Sequence, residues 1–390
     1  MSERKVFKFK LEPTPEQEHQ LEQFAGARRF VYNWGLTRCK ACYKETGQGI
    51  SWKQLSGELT RLKHQPECEW LCEIDSQALQ QALADLKRAF INFFEKRARY
   101  PRFKRRKDAR QSFRIPQRVK VKDSCLYVPQ IGRIKIRQSQ PIDGPTKSAT
   151  FKRDACGNWF VTLVAEFELP EREAPKVTIE DVVGGDVGLN TFLTLSDDTE
   201  VENPRFYRTA ERKLRRAQRR FSRRKKGSRN RAKARLAVAQ AHDRIAAKRA
   251  DFTHQLSFFL LRHYLALSFE SLNTKGLART KLSKSVLDAA WGCFFRQCEY
   301  KGRWYNRHVV FVGQFYPSTR TCFVCGHVNP NLTLADREWD CPVCGTHHHR
   351  DKNAAKNLQR EGFKILFAAG YAEKSNACGA NVRLATASSS

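Results

Sequence analysis

Four cysteines stand in two pairs, Cys322-Phe-Val-Cys325 and Cys341-Pro-Val-Cys344, with fifteen residues between them. Each pair offers two thiolates from one tight turn. A loop of this length lets the turns converge, so the spacing points to a tetrathiolate Zn²⁺ site of the closed, structural kind. Gly326 and Gly345 follow the second cysteine of each pair, where the chain turns sharply and a left-handed residue costs glycine little. The plainer alternatives are a redox dithiol or a disulfide pair, and neither needs two such pairs. Cys39-Lys-Ala-Cys42 lies in a helical stretch with no second pair nearby and is expected to pack as two small side chains.

Three acids occupy positions where the local pattern changes. Asp186 sits in Val182-Val-Gly-Gly-Asp-Val-Gly-Leu189, an apolar strand whose glycines permit close approach of a phosphate or a neighbouring strand. Glu270 ends Tyr264-Leu-Ala-Leu-Ser-Phe-Glu270, a buried strand in which a lone carboxylate is costly without a cation. Asp351 begins the helical run Lys352-Asn-Ala-Ala-Lys-Asn-Leu358 after the second cysteine pair. Each has an innocent role open to it: a turn cap for Asp186, an arginine partner for Glu270, a helix cap for Asp351. Together they supply the hard oxygen ligands that Mg²⁺ prefers, and two such ions can clamp the attacking and leaving oxygens of a phosphodiester.

The elements that must position these groups are patterned clearly. Residues 5–11 alternate apolar and basic, as a half-buried strand does. Thr14, Pro15 and Gln17 form a capping-box start for a helix carrying Leu21, Phe24, Ala27, Phe30, Val31 and Trp34 and ending at Gly47 or Gly49. Further helices are expected over 52–63 and 76–99, the latter with Leu79, Leu83, Leu86, Phe90, Phe93 and Phe94 on one face. From 113 to about 168, short alternating runs suggest a small barrel that the first strand joins. After the Pro170–Pro175 linker, strands and helices alternate as in α/β proteins. The last twenty residues, ending Ala-Thr-Ala-Ser-Ser-Ser, look loose.

Lys and Arg outnumber Asp and Glu by 72 to 40, a formal net charge of +32, which implies a polyanionic partner. No apolar run is long enough to span a bilayer and the first residues lack a signal-peptide pattern, so nucleic acid is favoured over membrane. Thirteen cysteines, an odd number, suit a reducing cytosol. Between Arg205 and Arg235 sixteen basic residues face one acid, Glu211. Such a run is commonly a solvated face; here its density and the overall charge point to Arg215, Arg216, Arg219, Arg220, Arg223 and Arg224 as phosphate contacts, with Leu214, Ala217 and Phe221 as a thin docking stripe.

The order Gly185-Asp186-Val-Gly188, Glu270-Ser-Leu-Asn273, Tyr316-Pro-Ser-Thr-Arg-Thr-Cys322, the two cysteine pairs and Arg350-Asp351-Lys-Asn-Ala-Ala355 resembles the TnpB family. These are transposon-encoded RNA-guided DNA nucleases related to the type V CRISPR effectors. The resemblance spans nearly the whole chain and includes Phe7-Lys-Phe-Lys-Leu-Glu-Pro-Thr14, Ala289-Ala-Trp-Gly292 and Leu334-Ala-Asp-Arg-Glu-Trp339. It implies a mixed α/β and β multidomain protein. A RuvC-like nuclease domain of RNase H fold is expected over 176–316 and 346–370, interrupted by a zinc finger over 317–345. A β-barrel wedge domain is expected over 1–12 and 108–175, a helical recognition domain over 13–107, and a flexible tail over 371–390.

The resemblance further implies Asp186, Glu270 and Asp351 as the catalytic, Mg²⁺-binding triad. Expected partners are a guide RNA transcribed from the transposon end and target double-stranded DNA, with a monomer in the ribonucleoprotein, in the prokaryotic cytoplasm at the nucleoid. Family members often carry an acid after the Glu270 position and two before the Asp351 position, where this chain has Ser271 and His349. In the guided reading Gln77, Gln80 and Gln81 are candidates for base edges, since Gln pairs bidentately with adenine; ordinary helix surface is the alternative. Tyr100, Arg102, Phe103 and Lys104 suit stacking and phosphate contact. Rival readings are a nuclease-dead guided repressor, which predicts loss of triad acids, a DNA-joining transposase, and a zinc-dependent transcription factor, which leaves the acids unexplained.

Overall fold

The computed structural model describes residues 2–106, 111–168, 173–333 and 335–373. Lys107, positions 170–172 of the expected linker, Leu334 and the expected tail beyond 373 lie outside them. The chain divides into two compact units, Met1–Glu171 and Arg172–Ser390.

The first unit opens on β1 (Ser2–Glu12), which buries Phe7, Phe9 and Leu11 and turns the intervening lysines outward. Thr14 then starts α1 (Pro15–Thr46): its hydroxyl accepts from the Gln17 amide while the Gln17 side chain accepts from the Thr14 amide, and Gly47 at φ +68° ends the helix. Next come α2 (Trp52–Lys63) and α3 (Ser76–Phe94). The last was expected to reach Arg99 but stops at Phe94. Lys96 takes a left-handed φ of 58°, and the chain turns so that Tyr100 packs edge-on against Phe90 and Phe93, at 5.7 and 5.2 Å between centroids.

Six further strands follow: β2 (Ser112–Ile115), β3 (Lys120–Lys122), β4 (Cys125–Val128), β5 (Gly132–Arg137), β6 (Thr146–Arg153) and β7 (Trp159–Glu168). They join β1 in an antiparallel sheet of order β2-β6-β7-β1-β5-β4-β3. The expected barrel is thus an open ladder: its ends, β2 and β3, have four and three residues, and among the described residues no pairing joins them. One apolar core runs through both parts of the unit, from Phe7, Phe9 and Trp159 to Leu21, Leu79 and Leu83.

The second unit comprises β8 (Val182–Val187), β9 (Thr191–Leu195), β10 (Glu200–Glu202), α4 (Phe206–Ser222), α5 (Arg229–His263), β11 (Ala266–Glu270), α6 (Thr274–Leu277), α7 (Ser283–Ala289), α8 (Trp291–Tyr305), β12 (His308–Val312), β13 (Glu338–Asp340), β14 (His347–His349) and α9 (Arg350–Ala368). Its main sheet runs β10-β9-β8-β11-β12, in which β8, β11 and β12 are parallel, β9 alone is reversed, and β10, antiparallel to β9, runs in the direction of β8. In the order of these five strands along the chain, that is 3-2-1-4-5.

Because side chains alternate across a strand, the sheet's two faces have different tasks. Gly185 and Phe269 face an aromatic core, where the Phe269 ring lies 5.7 Å from Phe294 and 5.3 Å from Phe295 of α8. Gly184 and Ser268 face α9. A Cβ on Gly184 would lie 2.0 Å from the Ala355 carbonyl oxygen, and one on Gly362 would lie 2.3 Å from Ser268 Oγ, so the helix rests almost directly on the sheet backbone. Ser268 Oγ also donates to the Leu358 carbonyl at 2.7 Å. No helix among the described residues is long and apolar enough to cross a membrane.

Candidate functional site

The seat of α9 on β8 and β11 brings the three acids together. Asp186 lies two residues beyond Gly184 on the same strand face, Glu270 two beyond Ser268, and Asp351 one helical turn before Ala355. Sequence reasoning assigned the glycines beside Asp186 to a phosphate or a strand. What approaches Gly184 is the helix that carries the third acid. Burial pushes the Asp186 carboxyl up to about 7, with the charges of Asp351 and Glu270 adding to the rise. Burial likewise raises Glu270. Desolvation disfavours the charged form of both acids, and at Asp186 the like charges of Asp351 and Glu270 outweigh the opposing pull of Arg350 and Arg337.

Asp351 is treated differently, by two arginines the sequence reading missed. Arg337 Nη1 approaches its carboxylate at 2.9 Å, and Arg350 Nε at 3.2 Å. The Arg350 amide also donates to the Arg337 carbonyl at 2.8 Å, tying the strand before α9 to the loop before β13. His349, one of the two departures from the family pattern, takes the N-cap position of α9 without a side-chain capping bond, and its buried Nδ1 has no hydrogen-bond partner among the described residues.

The four cysteine sulfurs lie within 4.8 Å of one another. Cys322 and Cys344 are separated by 3.7 Å and Cys325 and Cys341 by 3.5 Å, close to the roughly 3.8 Å edge of a sulfur tetrahedron around Zn²⁺ at ~2.3 Å. Gly326 and Gly345 are left-handed, at φ +79° and +67°, as the sharp turns require. Hydrogen bonds from Thr346 hold the Cys344 thiol down to about 6, toward the thiolate that a metal binds. The donor set therefore fits Zn²⁺. Cys39 packs against the first unit's core and Cys42 turns to the Gln48 carbonyl, neither joining a ligand cluster among the described residues.

Two asparagines of α9, also missed, hold the first cysteine turn. Asn353, 2% exposed, accepts from the Phe323 amide at 2.9 Å and donates to the Thr321 carbonyl at 2.7 Å. Asn357, fully buried, donates to the Ser318 and Thr321 carbonyls at 2.9 and 2.6 Å. Their i, i+4 spacing on an otherwise apolar helix face was the available signal. We expect one Zn²⁺ per chain on elemental analysis, and Cys322→Ser or Cys344→Ser to lower the yield of folded protein, because a closed thiolate site stabilises the ribbon outright. Metal-free protein with unaltered folding and activity would contradict this.

The remaining candidates are sorted by their surroundings. Arg215, Arg216, Arg219, Arg220, Arg223 and Arg224 are all exposed. Arg216, Arg220 and Arg224 line a groove of about 650 Å³ between α4 and α5, together with Arg212 and Lys233. Arg215, Arg219 and Arg223 line a second concavity with Arg208 and Glu211 that shares Arg212, Arg216 and Arg220 with the groove, and Glu211 pairs with Arg215 at 3.1 Å. In the first unit Gln80 accepts from Ser56 at 3.0 Å, packing α3 on α2, while Gln77 and Gln81 are half-buried. Tyr100 is drawn into the aromatic contacts described above. Lys104 is half-buried over the Tyr32 ring at 4.0 Å, its backbone gripped by Asn33, and burial pushes its ammonium down to about 8. Arg102 and Phe103 stay exposed. Fold and site thus define a strongly basic α/β protein built around a carboxylate cluster with a cysteine ribbon beside it.

Comparison with known proteins identifies the family. The IS605 OrfB model, described as "Probable transposase", matches residues 165–281, and a "Cas12f1-like, TNB domain" model matches 291–358. A model described as "Helix-turn-helix domain" matches 1–48, where the structure has a strand and one long helix. A Streptomyces pristinaespiralis protein named "Putative RNA-guided DNA endonuclease" is 39% identical over 97% of this chain and 92% of its own length. The Escherichia coli K12 protein named "Putative RNA-guided DNA endonuclease InsQ" is 33% identical over 94% of both. The chain belongs to the TnpB family. Cas12f1 in a cryo-EM structure of a Cas12f1–sgRNA–target DNA complex matches in fold, with TM-score 0.51 and 13% identity over 92% of this chain and 99% of that one.

Proposed function

We propose that the protein is an RNA-guided, Mg²⁺-dependent DNA endonuclease of a transposable element, cutting DNA complementary to its guide beside a short duplex motif. The observation that carries this reading is the convergence of Asp186, Glu270 and Asp351 from β8, β11 and α9 on a 3-2-1-4-5 sheet, the arrangement of an RNase H-like, RuvC-type nuclease. These three carboxylates would hold Mg²⁺, which when bound supplies Lewis-acid charge to the attacking and leaving oxygens of a phosphodiester. The fit rests on the donors themselves: hard oxygens, with Asp186 and Glu270 raised and unpaired by any cation among the described residues.

In this reading the chain divides as the resemblance implies, into a wedge domain over 1–12 and 108–175, a recognition domain over 13–107, the nuclease over 176–316 and 346–370, and the zinc finger over 317–345. The guide specifies sequence by pairing while the protein holds backbone and flanking motif. The test is incubation of the purified ribonucleoprotein with labelled DNA and Mg²⁺. Guide-dependent cutting supports the reading, joined products favour a transposase, and binding without cutting favours a guided repressor.

Proton and metal compete for Asp186. Its folded-state carboxyl is raised to about 7, so the ionised form needed for ligation is disfavoured below that pH, and the metal-free fold loses stability as pH rises from the ordinary carboxylate range to about 7. At subsaturating Mg²⁺, cleavage is expected to fall about tenfold per pH unit below neutrality, with a midpoint that moves lower as Mg²⁺ is added. Rate profiles at several Mg²⁺ concentrations check this; a midpoint indifferent to Mg²⁺ would place the titration elsewhere.

The groove arginines give a second expectation. Replacing Arg216, Arg220 and Arg224 together by Gln should weaken nucleic-acid binding and reduce the slope of log affinity against log salt by roughly two to three units, with little change in sequence preference. An unchanged slope in binding curves across salt concentrations would make the groove an ordinary solvated surface.

A further inference from the structure

Beside the carboxylate centre the structure displays one aromatic ring almost wholly in water. Phe315 is 93% exposed and stacks on no ring among the described residues. It sits at the corner of a tight turn in which the Tyr316 amide donates to the Gly313 carbonyl at 3.0 Å. Turn corners ordinarily take Gly, Pro, Asn, Asp or Ser, and a phenyl left in water forgoes its burial energy. A residue that breaks a local preference without an internal gain is a candidate for external contact.

The turn is not a loose tip. Ser318, 3% exposed, donates its amide to the Tyr316 carbonyl at 2.8 Å, and its own carbonyl is held by the buried Asn357 of α9 at 2.9 Å. On the other side the turn leaves β12 directly. Val312 is paired in register with Glu270, and its carbonyl accepts from the Ser271 amide at 2.9 Å. With adjacent strands ~4.8 Å apart and at most ~3.6 Å per residue, the Cα of Phe315 stands within about 16 Å of that of Glu270. Gln314 and Arg320 are exposed on the same short segment, and Arg320 has no ion-pair partner among the described residues. An exposed ring, a free guanidinium and a rigid mount are what single-stranded nucleic-acid sites use, since every base has a face to stack and a phosphate beside it.

We propose that Phe315 is a base-stacking platform that holds a single DNA strand next to the carboxylate centre, with Arg320 on its backbone. This rests on the nuclease reading above and adds to it a binding subsite. A strand drawn from a duplex must be kept unpaired for one phosphate to meet three fixed carboxylates. Stacking a neighbouring base on Phe315 does this without reading sequence, which leaves specificity to the guide.

The test uses the full ribonucleoprotein in an Asp186→Ala background, so that binding is read without cutting. DNA strands carry fluorescent aminopurine at successive positions. A quenched position is expected in the parent complex, with the quench lost in Phe315→Ala and kept in Phe315→Trp. In the cleaving enzyme Phe315→Ala should raise KM for a free single strand about 5- to 150-fold, with a smaller change in kcat and an unaltered melting temperature. Identical quenching and KM in Phe315→Ala would overturn the proposal, as would a defect confined to guide loading. Absence of cutting by the otherwise unaltered protein would sink the nuclease reading instead, and the quench would still decide the role of Phe315.

Discussion

Alanine at Asp186, at Glu270 or at Asp351 is expected to reduce DNA cleavage by on the order of 10³-fold or more, each alone nearly as severe as all three together, because ligands of one metal centre act as a unit. Guide and target binding should change little. The exposed arginines of α4 and of the α4–α5 groove stand on different elements from the acids, and phosphate contact is separable from metal ligation. Folding should not suffer at Asp186, where removing a desolvated carboxylate relieves repulsion instead of breaking a bond. Asp351 differs in that its loss removes the ion-pair partner of Arg337 and one of the partners of Arg350, so a modest fall in stability is expected there alone. Cleavage assays beside binding and melting curves separate these effects, and substantial cutting by any single variant would remove that acid from the triad. A repressor or a transcription factor would be indifferent to all three.

Much of this site could be read from the chain, for local reasons. The cysteine pairs carry their geometry in their spacing. The three acids stand where an apolar strand or a helix start makes a carboxylate conspicuous, and the caps of α1 and α2 lie within four residues of the helices they start. What escaped depends on contacts between segments distant in sequence. Arg337 and Asp351 meet only because β13 and β14 pair, with Glu338 opposite His349. Asn353 and Asn357 look like ordinary helix polars until the cysteine turn is laid against them. Tyr100 and Lys104 have the composition of a nucleic-acid loop, yet packing on Phe90, Phe93 and Tyr32 takes up much of what they offer. Closure of the expected barrel was not legible for the same reason: strand patterning states which face is buried, and says nothing of whether two short terminal strands meet.

Gly184→Ala, a change of one methyl group with no acid touched, is expected to cost cleavage on the order of 10²-fold or more. The added Cβ would lie 2.0 Å from the Ala355 carbonyl oxygen and 2.4 Å from the Gln359 amide nitrogen. Both are backbone atoms of α9 and neither can rotate aside, so the helix itself must lift from β8. Overpacking of this kind commonly costs about 1–3 kcal/mol. Here the displacement falls one turn from Asp351, and a misplacement of about 1 Å in a catalytic constellation is enough for a 10²-fold loss. The α9 asparagines grip the cysteine turn from the same helix, so the variant should keep its Zn²⁺ and a cooperative, lowered melting transition while losing activity. Gly57→Ala is the control. Gly57 lies within α2 with nothing within 4 Å of the new methyl group, and alanine there should stabilise by roughly 0.5–1 kcal/mol without altering cleavage. A Gly184→Ala protein that cuts at the parent rate would show that the close seat of α9 on β8 is not what sets Asp351 opposite Asp186.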